Sequence, residues 1–291
     1  MKVIAPGKMV LTGAYAVLEG APAIVIAVDR YAVVDSESPT KVDVRGLYDG
    51  AGRKLGLGSS AAQRVAAFGA RALARGEDPR HAAVRAEIFR GVRAAHQREQ
   101  GGGSGVDVAA SVHGGVLRYA LVRDGAAGNT KRPTDATMEA VDLPPELVLV
   151  TYWSGTSART SDLLGRVDAL RARGGSGKVF LALRSAAEAA ADALGDAPAF
   201  VRKASAFGRA LSALGDAADA PIFPPAFSEL AALAAREDAA FLPSGAGGGD
   251  MAAWMGAAPP SAAFAARAEA LGLVPLSLAI DHGGVRPESI S

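Results

Sequence analysis

Alternating blocks of apolar and polar residues divide the chain into a first part rich in predicted strands and a second part rich in predicted helices. Short runs of β-branched residues predict strands, at residues 2–5, 23–34, 42–47 and 116–122. Alanine, arginine and leucine at helical spacing predict helices, over residues 60–74 and 79–100, with a third from about Asp107 to Gly114. Residues 123–137 are expected to form an exposed loop.

The second part begins after Pro144-Pro145, where the apolar run from Leu147 to Trp153 predicts a strand. Four helices are predicted to follow, over residues 160–172, 177–193, 197–214 and 225–236. A short strand, a glycine-rich turn, a further helix and a last strand are expected to complete the chain, with the strands at residues 239–242 and 273–280. This order predicts an α+β arrangement in which alanine-rich helices cover a small sheet.

The length favours two domains, because 291 residues are enough to build two hydrophobic cores. We place an N-terminal domain at residues 1–145 and a C-terminal domain at residues 146–291, and we expect a cleft between them. Closure of the two domains over a ligand would exclude water from that cleft.

Charge and composition exclude several classes of protein. Thirty-one basic and 30 acidic side chains give a net charge of +1, so no general attraction to nucleic acid or to an anionic membrane is expected. The chain has no cysteine, which excludes disulfides, a thiolate nucleophile and cysteine-bound zinc. Apolar runs such as Ala23 to Val28 fall short of the ~20 residues of a membrane helix. We therefore expect a soluble, cytoplasmic protein.

The most informative motif is the turn Gly-Leu-Gly-Ser-Ser-Ala-Ala at residues 56–62, which leads directly into a predicted helix. Glycines let the backbone approach an anion, and the first turn of a helix presents free N–H groups to it. The turn is not a Walker A loop, because Ser60 stands where that motif needs lysine. A glycine turn capped by serine also begins helices that bind nothing, so the motif needs companions.

Three further segments accompany this turn. They are Ala5-Pro6-Gly7-Lys8 with Gly13 to Leu18, Gly103-Ser104-Gly105-Val106-Asp107-Val108-Ala109, and Ser244-Gly245-Ala246-Gly247-Gly248-Gly249-Asp250. In order and content the four segments resemble those of the GHMP small-molecule kinases, over almost the whole chain. The resemblance implies a two-lobed α+β fold, with an N-terminal ribosomal-protein-like α/β domain and a C-terminal ferredoxin-like α+β domain.

Within this superfamily, the chain is most similar to the phosphomevalonate kinases. The similarity lies in three segments, Gly247 to Asp250, Gly155 to Thr160 and Gly284 to Arg286. It implies an ATP- and Mg²⁺-dependent transfer of phosphate to 5-phosphomevalonate, giving the diphosphate used in isoprenoid synthesis, in a monomer or homodimer. A mevalonate kinase, another sugar or polyol kinase, the related decarboxylase and a catalytically weak ligand-binding relative remain alternatives.

The resemblance also assigns roles to individual residues. Lys8 and Asp107 are the implied catalytic residues, and Ser59 and Ser60 the implied Mg²⁺ ligands. The nucleotide is assigned to Gly56, Leu57, Gly58, Ser59, Ser60 and Ala61. The acceptor is assigned to Tyr15, Ser104, Gly105, Ser157, Arg159, Thr160, Gly247, Gly248, Gly249 and Asp250.

Each role has a plain structural alternative. Lys8 could be a solvated lysine, and Asp107 a helix cap. Arg159 could face solvent, since relatives tend to carry serine there. The glycine run could be a flexible hairpin, with Asp250 capping a helix that follows it.

The chain departs from the superfamily pattern at several positions. Ala14 stands where relatives commonly carry glutamate, and Val92 where mevalonate kinases have a metal-binding glutamate. Glu87 or Glu99 could substitute for the latter. The segment from Gly50 to Lys54 is also too short for the usual nucleotide-base loop.

Overall fold

The computed structural model describes residues 1–100, 103–122, 135–156, 160–174 and 176–288, with side chains throughout except at residues 97–100. Its strands are β1 (Lys2–Thr12), β2 (Ala23–Asp35), β3 (Val42–Asp43), β4 (Val116–Leu121), β5 (Ala136–Val141), β6 (Val148–Trp153), β7 (Ala240–Pro243), β8 (Met251–Gly256), β9 (Val274–Pro275) and β10 (Arg286–Pro287). Its helices are α1 (Ser59–Ala74), α2 (Ala82–Gln100), α3 (Val106–His113), α4 (Thr160–Ala172), α5 (Gly177–Asp192), α6 (Ala197–Ala218), α7 (Pro225–Ala235) and α8 (Ala262–Ala270). Short 3₁₀ helices occupy Ala16–Glu19 and Arg45–Leu47.

The first sheet has the order β10-β1-β2-β4-β5, and β3 also pairs with β2. All of these pairings are antiparallel. Helices α1 and α3 pack on β1 and β2, and α2 packs on both helices. Alanine and valine dominate the buried face of α1, so the helix can approach the sheet closely.

Strand β1 continues well past the position where the sequence predicted its end. The predicted strand covered residues 2–5, but β1 accommodates Pro6 and Gly7 with a bulge between them and runs on to Thr12. A Cβ at Gly7 would lie 2.8 Å from the Leu57 carbonyl oxygen, so only glycine allows the turn at residues 56–58 to come this close.

The second sheet has the order β7-β8-β6-β9 and lies between two groups of helices. Helix α6 covers one face, with Leu211 and Leu214 in the same core cluster as Leu242 and Met255. On the other face, α7 and α8 enclose an aromatic cluster, made of Tyr152, Phe227, Phe241, Trp254 and Phe264. The chain thus has the mixed helix and sheet composition that the sequence predicted.

The end of the chain differs from the prediction in two places. The further helix expected after the glycine run is α8, but Met251–Gly256 between them forms the inner strand β8, which was not predicted. Every residue of β8 is buried, so the strand lacks the apolar and polar alternation that identifies a half-buried strand. The predicted strand at residues 273–280 is limited to β9 and an isolated bridge between Ile280 and Val28.

The loop predicted at residues 123–137 is partly a strand, since β5 begins at Ala136; residues 123–134 lie outside the described part of the chain. The chain finally returns to the first sheet, where β10 pairs with β1. The described helices include none that is long and apolar enough to cross a membrane.

Candidate active site

Strand β1 places Lys8 directly beside the glycine turn at residues 56–58. The Lys8 backbone N–H donates a hydrogen bond to the Leu57 carbonyl oxygen at 2.9 Å. The Lys8 side chain then runs along Gly58, where an added Cβ would lie 3.0 Å from the lysine Cε. Gly58 therefore leaves room for the lysine, and the sequence segments that carry these residues meet in space.

The start of α1 has the features of an anion-binding helix terminus. Gly58 caps the helix in the left-handed conformation, at φ 75°, and no side chain caps its first turn. The first N–H groups of such a helix and its dipole favour a negative charge. Ser59 is 8% exposed and Ser60 is half-buried.

Leu57 and Ala61, which we assigned to the nucleotide, have side chains that are 1% and 0% exposed. Neither side chain is available to a ligand, and the Ala61 backbone N–H already donates to the Gly58 carbonyl at 3.1 Å. Their side chains belong to the main hydrophobic core.

A second glycine-capped helix terminus faces the same region. Gly105 caps α3 in the left-handed conformation, at φ 80°, and Asp107 lies in the first turn. One carboxylate oxygen of Asp107 accepts the Val108 backbone N–H at 2.9 Å, and the other lies 4.0 Å from Nδ1 of His96. Ser104 accepts the Val106 N–H at 3.3 Å through its hydroxyl, so this side chain supports the helix terminus.

The third glycine run connects β7 to β8 and is held by two hydrogen bonds, one to β1 and one to Tyr15 in the turn after β1. The Ser244 hydroxyl accepts the backbone N–H of Val10 at 2.9 Å, and the Tyr15 hydroxyl donates to the Ala246 carbonyl at 2.8 Å. Burial raises the pKa of the Tyr15 phenol, which is therefore a neutral donor at physiological pH.

The same run packs tightly against its neighbours on both sides. The Gly248 N–H donates to the Ile222 carbonyl at 3.0 Å, and a Cβ at Gly247 would collide with the same carbonyl. A Cβ at Gly56 would lie 2.6 Å from the Cβ of Asp250. Asp250 therefore reaches the turn that leads into α1, rather than capping a helix after it.

The Lys8 ammonium group is influenced by charged residues from two of these segments, Asp107 and Asp250. Burial lowers the pKa of its ammonium group below the usual value, while the negative charges of Asp107 and Asp250 act in the opposite direction. A Cβ at Gly245 would lie 3.6 Å from the lysine Nζ. One cation thus lies among both helix termini and the third glycine run.

The segment after β6, residues 154–160, is called the acceptor loop here, and its first residues, 154–156, lie against this run. The Ser154 N–H donates to the Asp250 carbonyl at 3.1 Å, and the Thr156 hydroxyl donates to the Gly249 carbonyl at 3.3 Å. Thr160 is the exposed first residue of α4. The assignments to Ser157 and Arg159 lie outside the described residues.

The described residues contain no group of three or more histidine or carboxylate side chains that could hold a metal ion. Val92 is fully buried, and the Glu87 carboxylate lies 3.4 Å from the Arg75 guanidinium. The side chain of Glu99 is outside the described residues. The Ser59 and Ser60 hydroxyls at the start of α1 are oxygen donors of the kind that Mg²⁺ accepts. This ion commonly takes only one or two protein ligands together with substrate phosphates.

Comparison with solved structures identifies the fold. The Lin0012 protein from Listeria innocua superposes with a TM-score of 0.80 at 22% identity, over 96% of this chain and 98% of that one. The Streptococcus pneumoniae phosphomevalonate kinase, solved with phosphomevalonate and AMPPNP, gives a TM-score of 0.75 at 18% identity, over 96% and 99% of the two chains. This chain has the GHMP-kinase fold.

Another GHMP kinase, the L. major mevalonate kinase in complex with R-mevalonate, gives a TM-score of 0.65 at 17% identity, over 100% of this chain and 97% of that one. No protein-family model matches the sequence, and no curated protein does. At these identities the likeness concerns the GHMP-kinase fold itself.

Two parts of the site were missed by sequence reasoning. His96 was given no role from the sequence, yet its position on α2 brings Nδ1 to 4.0 Å from the Asp107 carboxylate. Arg53 was part of a segment described only as short, yet it contacts the other lobe at Trp153 and Gly155. No spacing rule links these residues to their partners, because each pair joins separate elements.

Proposed function

We propose that this protein is an ATP-dependent kinase that transfers the γ-phosphoryl group of ATP to the phosphate of 5-phosphomevalonate. The observation that carries the proposal is the position of Lys8 between two glycine-capped helix termini, with Asp107 and Asp250 beside it. Phosphoryl transfer needs in-line positioning and neutralisation of charge, and little covalent chemistry from the protein.

The start of α1 is the proposed site for the nucleotide phosphates. Gly56 and Gly58 let the backbone approach the phosphates, and the free N–H groups of the first turn donate to their oxygens. Ser59 and Ser60 are the proposed protein ligands of Mg²⁺, which would neutralise phosphate charge when bound.

Lys8 and Asp107 act on the reacting groups. The Lys8 ammonium stabilises the negative charge that develops on the transferred phosphoryl group. A phosphate acceptor is already largely ionised at neutral pH, because its second pKa lies near 6. Asp107 therefore need not remove a proton, and we assign it the orientation of Lys8 and of the acceptor.

The choice of a phosphorylated acceptor is supported by the third glycine run and the acceptor loop. Both segments resemble those of phosphomevalonate kinases in sequence, and they lie in contact through Thr156 and Gly249. The Streptococcus relative of similar fold binds phosphomevalonate and AMPPNP. Arg159, with its planar guanidinium, is a proposed phosphate donor in this loop.

A coupled assay of ADP release tests the proposal, with 5-phosphomevalonate, mevalonate, galactose and homoserine as acceptors. We expect turnover with 5-phosphomevalonate and at least a hundredfold lower kcat/KM with the others, because a site built for a phosphate leaves its charged groups unpaired without one. Preferred turnover of mevalonate or a sugar would keep the kinase and reject the acceptor. Binding of ATP without turnover of any acceptor would reject the enzyme in favour of a ligand-binding protein.

A further inference from the structure

The short segment before the glycine turn forms a small hairpin, residues 48–54. Tyr48 and Lys54 pair as an antiparallel bridge, and the Asp49 N–H donates to the Arg53 carbonyl at 2.8 Å. One Asp49 carboxylate oxygen closes the turn by accepting the backbone N–H groups of Ala51 and Arg53, at 3.0 and 2.7 Å. The hairpin is therefore ordered by its own residues and leads directly into Gly56.

The Arg53 side chain leaves this hairpin and crosses to the other lobe. Its guanidinium is held by Asp49, with Nε at 2.8 Å and Nη2 at 2.7 Å from the second carboxylate oxygen. It donates through Nη1 to the Gly155 carbonyl at 3.2 Å and lies over the ring of Trp153, with Cζ 4.7 Å from the ring centroid. A planar guanidinium can stack flat on a ring while it donates to oxygens in its own plane, a geometry that an ammonium does not reproduce.

The contacts of Arg53 fall on the segment that leads into the acceptor loop. Trp153 is the last residue of β6, and Gly155 follows two positions later in the left-handed region, at φ 73°. The neighbours of Gly155, Ser154 and Thr156, are the residues bonded to the third glycine run. Arg53 thus completes a ring of contacts from the glycine turn through the acceptor loop to that run.

We infer that Arg53 is a positioning residue that holds the acceptor loop at a fixed distance from the nucleotide turn. This inference rests on the proposed function, since it assigns the two segments to acceptor and nucleotide. Its consequence is that loss of Arg53 impairs use of the acceptor, while the nucleotide, held by the start of α1, still binds. Transfer is sensitive to small displacements of the reacting groups, so the effect on kcat/KM for the acceptor exceeds the effect on nucleotide affinity.

The kinetic test compares R53A, R53K and a matched control, R184A. Arg184 is also a partly exposed arginine in an i,i+4 ion pair, with Glu188 at 2.8 Å, on α5. We expect R53A and R53K to lower kcat/KM for the acceptor about tenfold, with the Kd for an ATP analogue changed less than about twofold. R184A should match the wild type. Full activity of R53A, or an equal loss of nucleotide affinity, would overturn the inference.

A spectroscopic arm separates failure of this inference from failure of the proposed function. The chain has two tryptophans, and Trp254 lies in the aromatic cluster of the second sheet, where its N–H donates to the Ala258 carbonyl. Removal of the Arg53 guanidinium should change the emission of Trp153 and make it more accessible to acrylamide, in R53A but not in R184A. If the wild type turns over no acceptor, the proposed function fails, and this arm still decides whether Arg53 holds the loop. Unchanged emission and quenching in R53A would overturn it.

Discussion

Lys8 lies in an environment that disfavours its positive charge. Burial lowers the pKa of the ammonium group, and the two carboxylates beside it compensate only in part. A cation that is poorly solvated interacts strongly with an incoming phosphate, so the cost to the free protein is recovered when the anion binds.

Replacing Lys8 by methionine should therefore remove activity without loss of stability. Methionine keeps much of the aliphatic volume and removes the poorly solvated charge. We expect kcat to fall at least a hundredfold, as for removal of other groups that stabilise transition-state charge, with a free energy of unfolding equal to or above that of the wild type. ADP release and urea denaturation measure the two quantities. A K8M protein that is clearly less stable would show that Asp107 and Asp250 need the lysine.

The lowered pKa of Lys8 also predicts how stability depends on pH. Between the folded-state pKa and the usual 10.5, the unfolded chain binds more protons at Lys8 than the folded one does, so stability rises with pH in that window. The wild type should gain stability relative to K8M as the pH is raised from about 7 to about 10. Urea denaturation of both proteins at each pH measures this difference. If the free energy of unfolding of the wild type relative to K8M stays constant or falls as the pH rises, the lowered pKa is contradicted.

At the scale of elements, the starts of the two glycine-capped helices α1 and α3 form the surroundings of Lys8. In each, a glycine in the left-handed region turns the chain into the helix, and both helix starts lie near Lys8, α1 through Gly58 and α3 through Asp107. At Gly58 the need for glycine is double, since its φ is 75° and an added Cβ would meet Lys8 Cε at 3.0 Å.

Gly58→Ala should thus impair both folding and catalysis. We expect a loss of roughly 1–2 kcal/mol of stability from the left-handed backbone, and reduced nucleotide affinity because the lysine must shift. Gly165→Ala in α4 is the matched control, because a Cβ there meets no atom within 4 Å. That control should gain up to about 1 kcal/mol from helix propensity. Thermal denaturation and nucleotide titration measure both variants, and equal behaviour of the two would contradict the role given to Gly58.

Most helices and strands could be predicted from the sequence, but the contacts between them could not. Helices α1, α4, α5 and α7 follow the predicted ranges to within one residue at each end, and α6 continues past its predicted end at residue 214 to Ala218. Strand β8 was missed because helix-favouring alanine and methionine fill a strand buried on both faces. In the site, the motifs indicated Lys8 and Asp107, but the contacts of Asp250 with Gly56 and of Arg53 with Trp153 depend on how the lobes pack.

At the scale of the whole molecule, residues near the end of the chain bind to the first sheet through Asp281 and Tyr31 of β2. The Asp281 carboxylate accepts the Tyr31 hydroxyl at 2.8 Å and pairs with Arg286 at 2.7 Å. It also accepts the N–H groups of Gly283 and Gly284. Burial opposes ionisation of Asp281, but these hydrogen bonds prevail and lower its pKa.

Asp281→Asn should destabilise the protein by about 3 kcal/mol, since it leaves the charge of Arg286 without its partner. A lowered pKa in the folded state means that the stabilisation is present above the usual value of 3.8 and is lost as the pH falls through the folded-state pKa. The difference between wild type and variant should thus shrink in acid. Asp219→Asn, whose side chain is fully exposed beside Arg166, is the control and should cost little. Urea denaturation at neutral and acid pH decides, and a neutral-pH difference no larger than the control's would contradict this role.

The central claim is that the region around Lys8 transfers a phosphoryl group from ATP to a phosphate. The most direct measurement is the fate of a label in the γ-phosphoryl group of ATP, incubated with Mg²⁺, 5-phosphomevalonate and either the wild type or K8M. We predict that the wild type moves the label into 5-diphosphomevalonate, one for each ADP formed, and that K8M does not. Label found only in ATP or inorganic phosphate with the wild type, or transferred equally well by K8M, would contradict the account.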